Sequence, residues 1–290
     1  MPSRSDLISL LSEACELEHG LACSYLFSAF TLKQSVYEDG LTADELQSVR
    51  IWAGQLYFIA SQEMMHLTQV WNLLSAVGGV PYYYRPNFPQ GHKYYPIDLP
   101  VKTEPFSKKA LKRFIFYELP MEVSDTGFLR KEFEIDESKF NKAFTVGKLY
   151  GQIRDLFNGI PEHELFIGRK ELQVGAEVCH FNEIVKVVDT QSANQAIDTI
   201  IEQGEGTQKD QTDCHYGLFV NMDLRLDELI TAAHNEGREF SPARKTVHNP
   251  RTQMHKNDGP LKATTIQDNY TNDVAVLFDN VYSLMLRMLQ

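Results

Sequence analysis

The second predicted helix carries the feature that most constrains this fold, a long apolar stripe that two polar residues interrupt. The helix begins at the capping-box sequence Thr42-Ala-Asp-Glu45 and ends at the stop signal Gly78-Gly79-Val80-Pro81. The stripe follows the three-and-four spacing of one helix face and consists of Leu56, Ile59, Glu63, His66, Val70, Leu73 and Val77. Because such a face points toward a core, we expect a carboxylate and an imidazole to be buried together.

Glu63 and His66 need a partner inside that core. Burying an unpaired carboxylate is costly, so it is tolerated where a hydrogen-bond partner, a counter-charge or a metal ion faces it. Residues three apart on a helix project side by side, and a carboxylate with an imidazole is a common ligand pair for iron or manganese in helical bundles. The pattern therefore predicts a metal centre, with a hydrogen-bonded polar pair as the alternative.

The Glu-x-x-His spacing alone is weak evidence. It occurs three times in the chain, at Glu16/His19, Glu63/His66 and Glu177/His180. Glu16 shares its helix face with other polar residues, and Glu177 lies in a valine-rich segment without a helical stripe, so we interpret both as surface residues. His19, at the edge of an apolar stripe, is interpreted as a packed histidine. The position on the stripe, and not the spacing, distinguishes the second pair.

The remaining apolar periodicities predict an all-α fold with irregular excursions between the helices. Besides the second helix, we expect helices over 5–34, 107–117, 140–158, 192–204, 213–235 and 270–289. An irregular excursion over 81–140 surrounds the short helix, and a polar loop covers 236–268. The stretch 170–190 is valine-rich, which favours a short strand. A length of 290 residues suits a single domain over 1–290.

Four more residues are candidate metal ligands. Glu18 occupies an apolar-stripe position of the first helix and should face the second helix. His215 begins a helix on its apolar face and should point inward, with a packed core histidine as the alternative. Glu202 and Glu205 lie one turn apart at a helix end, where periodicity does not decide between an inward ligand and a surface cap.

Several segments of the chain match one known family in order. They are LEHGLACSYL (17–26), EMMHLTQVWNLLSAVGGVP (63–81), GKLYGQI (147–153), SANQAIDTIIEQGEG (192–206), HYGLF (215–219) and LFDNVYSLMLRML (277–289). The ordered set resembles the ferritin-like domain of the iminophenyl-pyruvate dimer synthase family, which is associated with bisindole pigment biosynthesis. The resemblance implies a ferritin-like helical bundle with a non-haem metal site.

The ligand positions implied by the resemblance are Glu18, Glu63, His66, Glu202 and His215, with Glu205 as an additional candidate. The implied metal is iron, with manganese as the alternative. Ferritin-like sites usually repeat Glu-x-x-His on a second helix pair, whereas the later half of this chain offers a Glu-Gln-Gly-Glu turn and a separate histidine. The sequence therefore leaves open whether one ion or two are bound.

The predicted function is that of a non-haem metal-dependent oxidoreductase. The resemblance implies a small aromatic or amino-acid-derived imine as substrate, with oxygen or peroxide as the oxidant. Two alternatives stay open: a non-enzymatic metal-binding or storage protein, and a scaffold that has kept the bundle without the metal.

Charge and cysteine usage limit the partners and the compartment. The net charge of -11, from 28 basic and 39 acidic side chains, opposes binding of nucleic acid. No apolar segment approaches the ~20 residues that cross a bilayer, and the first residues acquire charges too early for a secretory signal. The four cysteines form no CxxC pair, which fits a reducing compartment. We expect a cytoplasmic protein without a membrane partner, and a homo-oligomer is left open.

Overall fold

The computed structural model describes residues 3–38, 40–82, 84, 87–91, 99–120, 133, 145–205, 212–253 and 263–289. Within these ranges the helices are α1 (Arg4–Thr31), α2 (Ala43–Ala76), α3 (Lys108–Tyr117), α4 (Val146–Gly159), α5 (Glu162–Leu165), α6 (Ala176–Cys179), α7 (Thr190–Gly204), α8 (His215–Asn235) and α9 (Asn269–Met288). The prediction of an all-α fold is therefore confirmed. None of these helices combines the length and the apolar character that crossing a membrane requires.

The first two helices form a long antiparallel pair, and both begin with a capping box. The hydroxyl of Ser3 caps α1 and that of Thr42 caps α2, each paired with an acid three residues later. Arg4 at the start of α1 donates a hydrogen bond to the carbonyl oxygen of Val77 at the end of α2, with 2.9 Å between the atoms. Their facing stripes are fully buried, so this pair provides a rigid frame for polar residues in its interior.

Four further helices pack against this pair. The ring of Phe114 on α3 lies 5.3 Å from that of Phe219 on α8, and Phe219 lies 5.0 Å from Tyr25 on α1. On the other side, α4 buries Ile153 and Phe157, and α7 turns its small and branched residues inward. The core is thus enclosed by α1, α2, α3, α4, α7 and α8.

The strand predicted within 170–190 is absent from this fully described stretch, which instead contains a 3-10 turn over Lys170–Leu172 and the single turn α6. Side chains of α2 replace the strand partner. The amide of Gln69 bonds both backbone groups of Val185, at 2.9 and 2.8 Å, and Asn72 bonds both backbone groups of Val174, each at 2.8 Å. Because these backbone groups are satisfied, the valines need no strand pairing.

Two very short parallel strands, β1 (Pro250–Arg251) and β2 (Thr264–Thr265), occur within the predicted loop over 236–268. Helix boundaries otherwise differ from the predictions by a few residues. The largest difference is at α4, which starts at Val146 rather than at residue 140, and residues 140–144 lie outside the described ranges. Helix α9 follows the loop, and none of its residues is buried.

Candidate metal centre

Glu63 lies at the middle of a polar cluster inside the bundle, and its two carboxylate oxygens face different histidines. Its Oε2 lies 3.0 Å from Nδ1 of His66, one turn further along α2. Its Oε1 lies 2.9 Å from Nδ1 of His215, the first residue of α8. The single carboxylate therefore stands between two imidazoles, whose ring centroids are 5.5 Å apart.

A second carboxylate completes each side of the cluster. Glu18 of α1 places Oε2 3.7 Å from Nδ1 of His66, and Glu118 at the end of α3 places Oε2 3.6 Å from Nδ1 of His215. In each group the candidate ligand atoms all lie within 4.8 Å of one another. We call Glu18, Glu63 and His66 the His66 half-site, and Glu63, Glu118 and His215 the His215 half-site.

The charges of the cluster influence one another strongly because all five residues are at most 4% exposed. Burial and the adjacent charge of Glu63 raise the pKa of Glu18 to about 8, and the same two causes raise the pKa of Glu118. Burial opposes ionisation of Glu63 as well, but His215 and His66 hold its pKa below the usual range. Burial would lower the pKa of each imidazole, yet Glu63 raises that of His66 to about 10 and that of His215 to about 9.

The outer nitrogen of each histidine is held by a glutamine. Nε2 of His66 donates to Oε1 of Gln203 on α7, and Nε2 of His215 donates to Oε1 of Gln62 on α2, both at 3.0 Å. The neutral amide oxygen accepts a hydrogen bond from the Nε2–H group and leaves Nδ1 directed at the carboxylates. The two half-sites therefore share one arrangement, in which Nδ1 is the nitrogen available to a metal ion.

Two tyrosines hold the outer carboxylates in place. Tyr150 of α4 donates its hydroxyl hydrogen to Oε1 of Glu18, and Tyr25 of α1 donates to Oε1 of Glu118. Burial raises the pKa of Tyr150 well above its ordinary value, so its hydroxyl remains a donor. Each outer carboxylate thus keeps Oε2 pointed toward the histidine.

Glu205 lies beside the same centre. It lines a cavity together with Glu18, Glu63, Glu118 and apolar residues of α4 and α7, and it is 8% exposed. Its position depends on a glycine, because a Cβ atom on Gly147 would lie 2.0 Å from Oε1 of Glu205. Helix α4 therefore leaves room for a fourth carboxylate next to the half-sites.

Most of the candidate ligands from the sequence come together in space. Glu18, Glu63, His66 and His215 belong to the half-sites, and Glu205 lines the adjoining cavity. Glu202 does not join them. The buried face of α7 ends in Ile200 and Gly204, and the side chain of Glu202 lies outside this face and is exposed. The neighbouring Gln203 makes the contact with His66 instead.

Glu118 is the residue that sequence reasoning missed. It follows the last residue of α3 as its C-cap, where helix periodicity gives no direction. A signal was nevertheless present, since this acid stands between Tyr117 and Leu119 in the apolar run Phe-Ile-Phe-Tyr-Glu-Leu. A lone carboxylate in such a run is as conspicuous as Glu63 in its stripe.

The other two Glu-x-x-His pairs lie elsewhere. Glu177 and His180 are exposed, as predicted. His19 is buried, as predicted for a packed histidine, whereas Glu16 is half-buried and not on the open surface, because it accepts a hydrogen bond from the side-chain amide of Gln90. Only the pair on the apolar stripe faces the acidic cluster.

The donor set of the half-sites fits a metal ion. Four buried carboxylates surround two imidazoles, and the described residues that line the cavity include neither lysine nor arginine. In the metal-free protein, protons on the histidines and on Glu18 offset the negative charge. A divalent cation can replace them, since mixed carboxylate and imidazole ligands suit iron and manganese.

Comparisons with known proteins agree with the fold of the bundle. A family model described as ferritin-like matches residues 11–224. A crystal structure of a ferritin-like protein from Caulobacter vibrioides superposes with a TM-score of 0.52 and 17% identity, covering 76% of this chain and 72% of that chain. The low identity limits that likeness to the fold, and together these findings confirm the ferritin-like bundle expected from the sequence.

Two curated proteins match nearly the whole chain. Dichlorochromopyrrolate synthase of Lentzea aerocolonigenes is 27% identical over 99% of this chain, and 2-imino-3-(indol-3-yl)propanoate dimerase of Chromobacterium violaceum is 25% identical over 99%. The chain spans only 31% and 29% of the length of these relatives. Both relatives are named as enzymes, and their names support the predicted resemblance.

Proposed function

Because the chain belongs to the ferritin-like family, we propose that it binds a pair of iron ions and oxidises a small imine derived from an aromatic amino acid. The observation that carries the proposal is the position of Glu63 between His66 and His215, each backed by a further carboxylate. A carboxylate shared by two such groups suits two neighbouring ions.

The residues would divide the two ions between them. Glu18 and His66 would hold one ion, Glu118 and His215 would hold the other, and Glu63 would contact both. Glu205, in the adjoining cavity, is a sixth candidate ligand and the fourth carboxylate, within reach of a small rearrangement of its side chain. Manganese is the alternative metal, because it favours the same oxygen and nitrogen donors.

Bound iron would supply one-electron chemistry toward oxygen or peroxide, which serves as the oxidant. The protein's own groups set the conditions for it. The burial of the half-sites excludes bulk water, and the hydroxyls of Tyr25 and Tyr150 orient the outer carboxylates. Gln62 and Gln203 fix the two imidazoles with Nδ1 turned inward. Such preorganised ligands lower the cost of reorganisation during the reaction.

The class of substrate rests on the relatives. One of them is named as a dimerase of 2-imino-3-(indol-3-yl)propanoate, an imine whose side chain is aromatic. The match to that protein covers 99% of this chain and so extends over the helices that carry the half-sites. We therefore propose imines of this type as the substrate and their oxidative coupling as the reaction. A new bond between two imine molecules would replace one hydrogen on each, and the two electrons and two protons released would reduce oxygen to hydrogen peroxide, or hydrogen peroxide to water.

Metal analysis is the first test. Protein reconstituted anaerobically with Fe(II) should hold two ions per chain, and Glu63→Ala should hold none. The matched control is Glu177→Gln, because Glu177 has the same spacing to a histidine but is exposed and paired with Lys186. It should bind iron as the unmodified chain does. Protein that retains no iron, manganese, zinc or copper after reconstitution would contradict the proposal and favour the metal-free scaffold.

Oxygen consumption then separates an enzyme from a store. When indole-3-pyruvate imine is generated in the cuvette, the ferrous protein should consume oxygen over many turnovers. Without the imine, oxygen uptake should stop after the bound iron has been oxidised once. Continued uptake of many iron atoms per chain, without dependence on the imine, would instead favour the storage alternative.

A further inference from the structure

Helix α9 rests on the bundle through a mainly polar face. Its half-buried residues repeat at helical spacing and are Asn272, Ala275, Asp279, Tyr282 and Leu286. Tyr282 is the main anchor, since its hydroxyl lies 2.6 Å from Nε2 of His19 and its ring stacks on that imidazole with 5.8 Å between centroids. The helix therefore has a defined orientation, and its other side faces away from the described part of the bundle.

The outward side of α9 carries a regular row of large apolar residues. The row consists of Tyr270, Val274, Leu277, Val281, Leu284 and Met288, and each side chain is between 49% and 79% exposed. We call these six residues the α9 seam. A surface helix normally turns its apolar stripe to its own core, so an apolar stripe on the opposite side indicates an interaction surface.

The spacing of the α9 seam identifies the kind of partner. Its members are separated alternately by four and three residues without a break, which is the heptad repeat of a coiled coil. Val274, Val281 and Met288 take the a positions, and Tyr270, Leu277 and Leu284 take the d positions. Such a seam packs its side chains between those of another helix with the same repeat.

We propose that the α9 seam pairs with the α9 seam of a second copy of this chain, in antiparallel orientation, to form a dimer. A two-fold axis makes one surface complementary to itself. In this orientation every a residue of one copy meets a d residue of the other. Val281 meets Leu277, Val274 meets Leu284, and Met288 meets Tyr270, so all six apolar residues are covered without an overhang.

The charges beside the seam favour the same arrangement. Asp273 and Arg287 occupy g positions at opposite ends of α9, and both side chains are exposed. Neither forms an ion pair within the described part of the chain. The antiparallel orientation brings Asp273 of each copy to Arg287 of the other and places the two Asn280 side chains opposite each other. A parallel pair would set Asp273 against Phe278 and would not bring it to Arg287.

The mass of the purified chain tests the dimer. Light scattering after size exclusion should give twice the 33.2 kDa of one chain. Leu277→Glu should raise the dimer dissociation constant more than about 100-fold, because two central layers would then bury a carboxylate. The matched control is Val276→Glu on the same helix, since Val276 lies outside the seam and is 39% exposed. Far-UV circular dichroism should show that each variant keeps its helix content.

Charge exchange tests the orientation. Asp273→Arg alone should weaken the dimer by placing two arginines together at each end, and Arg287→Asp alone should weaken it in the same way. The double variant should restore the affinity. Wild-type protein that stays monomeric at high concentration would overturn the dimer and leave the seam to another protein or a lipid surface. A dimer that survives Leu277→Glu, or a double variant without restored affinity, would overturn the proposed pairing.

Discussion

The carboxylate of Glu63 lies 2.9 Å from the imidazole of His215, measured from Oε1 to Nδ1, although one residue is in the middle of α2 and the other opens α8. The other oxygen of Glu63 is already close to His66 within the same helix. The docking of α8 onto α2 therefore gives this carboxylate its second histidine. The two half-sites depend on one shared residue and are otherwise separate.

Because the other residues of the two half-sites are separate, each half-site should lose its ion without the other when one of its own carboxylates is removed. Glu118→Ala should remove the ion of the His215 half-site and leave that of the His66 half-site, because Glu118 lies next to the imidazole of His215 and belongs only to that half-site. Glu18→Ala should have the reverse effect, and Glu63→Ala should remove both ions. Anaerobic titration with Fe(II) should therefore give stoichiometries of one, one and zero, compared with two for the unmodified chain.

Glu202→Gln provides the control for this series. Its side chain is exposed, so both ions should remain bound with unchanged affinity. Loss of an ion from this variant would mean that Glu202 turns inward, as the sequence resemblance implied, and would contradict the present assignment of the half-sites.

Sequence periodicity could predict the part of the site that lies in the middle of long helices. Glu18, Glu63 and His66 each occupy an apolar stripe of many turns, so their inward direction follows from their neighbours. The direction of Glu118 does not follow in this way. It caps a short helix, and it becomes a site residue only because Tyr25 and His215 arrive from distant parts of the chain.

The end of α7 shows the same limit. Over the last turn, two adjacent isoleucines at Ile200 and Ile201 leave the inward direction undecided, so periodicity could not decide whether Glu202 or Glu205 points inward. The structure turns Gln203 toward His66 and places Glu205 in the cavity. The strand predicted in the valine-rich stretch after α4 was wrong for a related reason, since side chains of α2 took the backbone hydrogen bonds that a strand would have used.

The glutamines beside the histidines should matter for metal affinity although neither belongs to a half-site. Gln203→Leu removes the acceptor for Nε2 of His66, and Gln62→Leu does the same for His215. Each imidazole could then turn or shift its proton to Nδ1, so iron affinity should fall by about 10- to 100-fold. Competition with a chelator of known affinity measures the change.

Substitution of the two glutamines by glutamate tests whether they act by holding the imidazoles in orientation or only by filling space. Gln203→Glu and Gln62→Glu keep an oxygen acceptor at the same distance, so iron affinity should remain close to that of the unmodified protein. Nitrogen NMR of labelled histidine should show the same protonated Nε2 in the metal-bound state. An equal loss of affinity in the leucine and glutamate variants would contradict a role in holding the imidazoles.

Metal binding should release protons. In the metal-free protein the pKa values of His66, His215 and Glu18 are about 10, about 9 and about 8, because Glu63 stabilises the imidazolium ions while burial opposes ionisation of Glu18. All three groups are therefore largely protonated at neutral pH. A metal ion needs them deprotonated, so affinity should rise with pH by up to about tenfold per unit for each proton released. Glu63, whose pKa lies below the usual range, releases none.

Calorimetry in several buffers measures this proton release. The heat of iron binding at pH 7 should vary linearly with the ionisation enthalpy of the buffer. The slope of this line gives the number of protons that the buffer takes up. The slope should decrease as the pH passes 8 and 9, where first Glu18 and then His215 lose their protons. A heat that does not depend on the buffer would contradict the protonation states assigned to the metal-free cluster.

Gly168 should be among the least replaceable glycines, because it approaches the end of α2 very closely. Its N–H donates to the carbonyl oxygen of Ala76 at 2.9 Å, and a Cβ atom at this position would lie 1.6 Å from the carbonyl oxygen of Ser75. Both obstructing groups are backbone, so relief requires a shift of the loop or of the helix end. Gly168→Ala should therefore lower the free energy of unfolding by about 1–3 kcal/mol.

Gly54 provides the matched control, since it lies within α2 and a Cβ atom added to it would have no neighbouring atom within 4 Å. Gly54→Ala should raise the free energy of unfolding by about 0.5–1 kcal/mol, because alanine loses less conformational freedom in a helix than glycine does. Urea denaturation of the metal-free protein measures both changes. If Gly168→Ala were as stable as Gly54→Ala, the loop after α5 could not lie against the carbonyl groups that end α2.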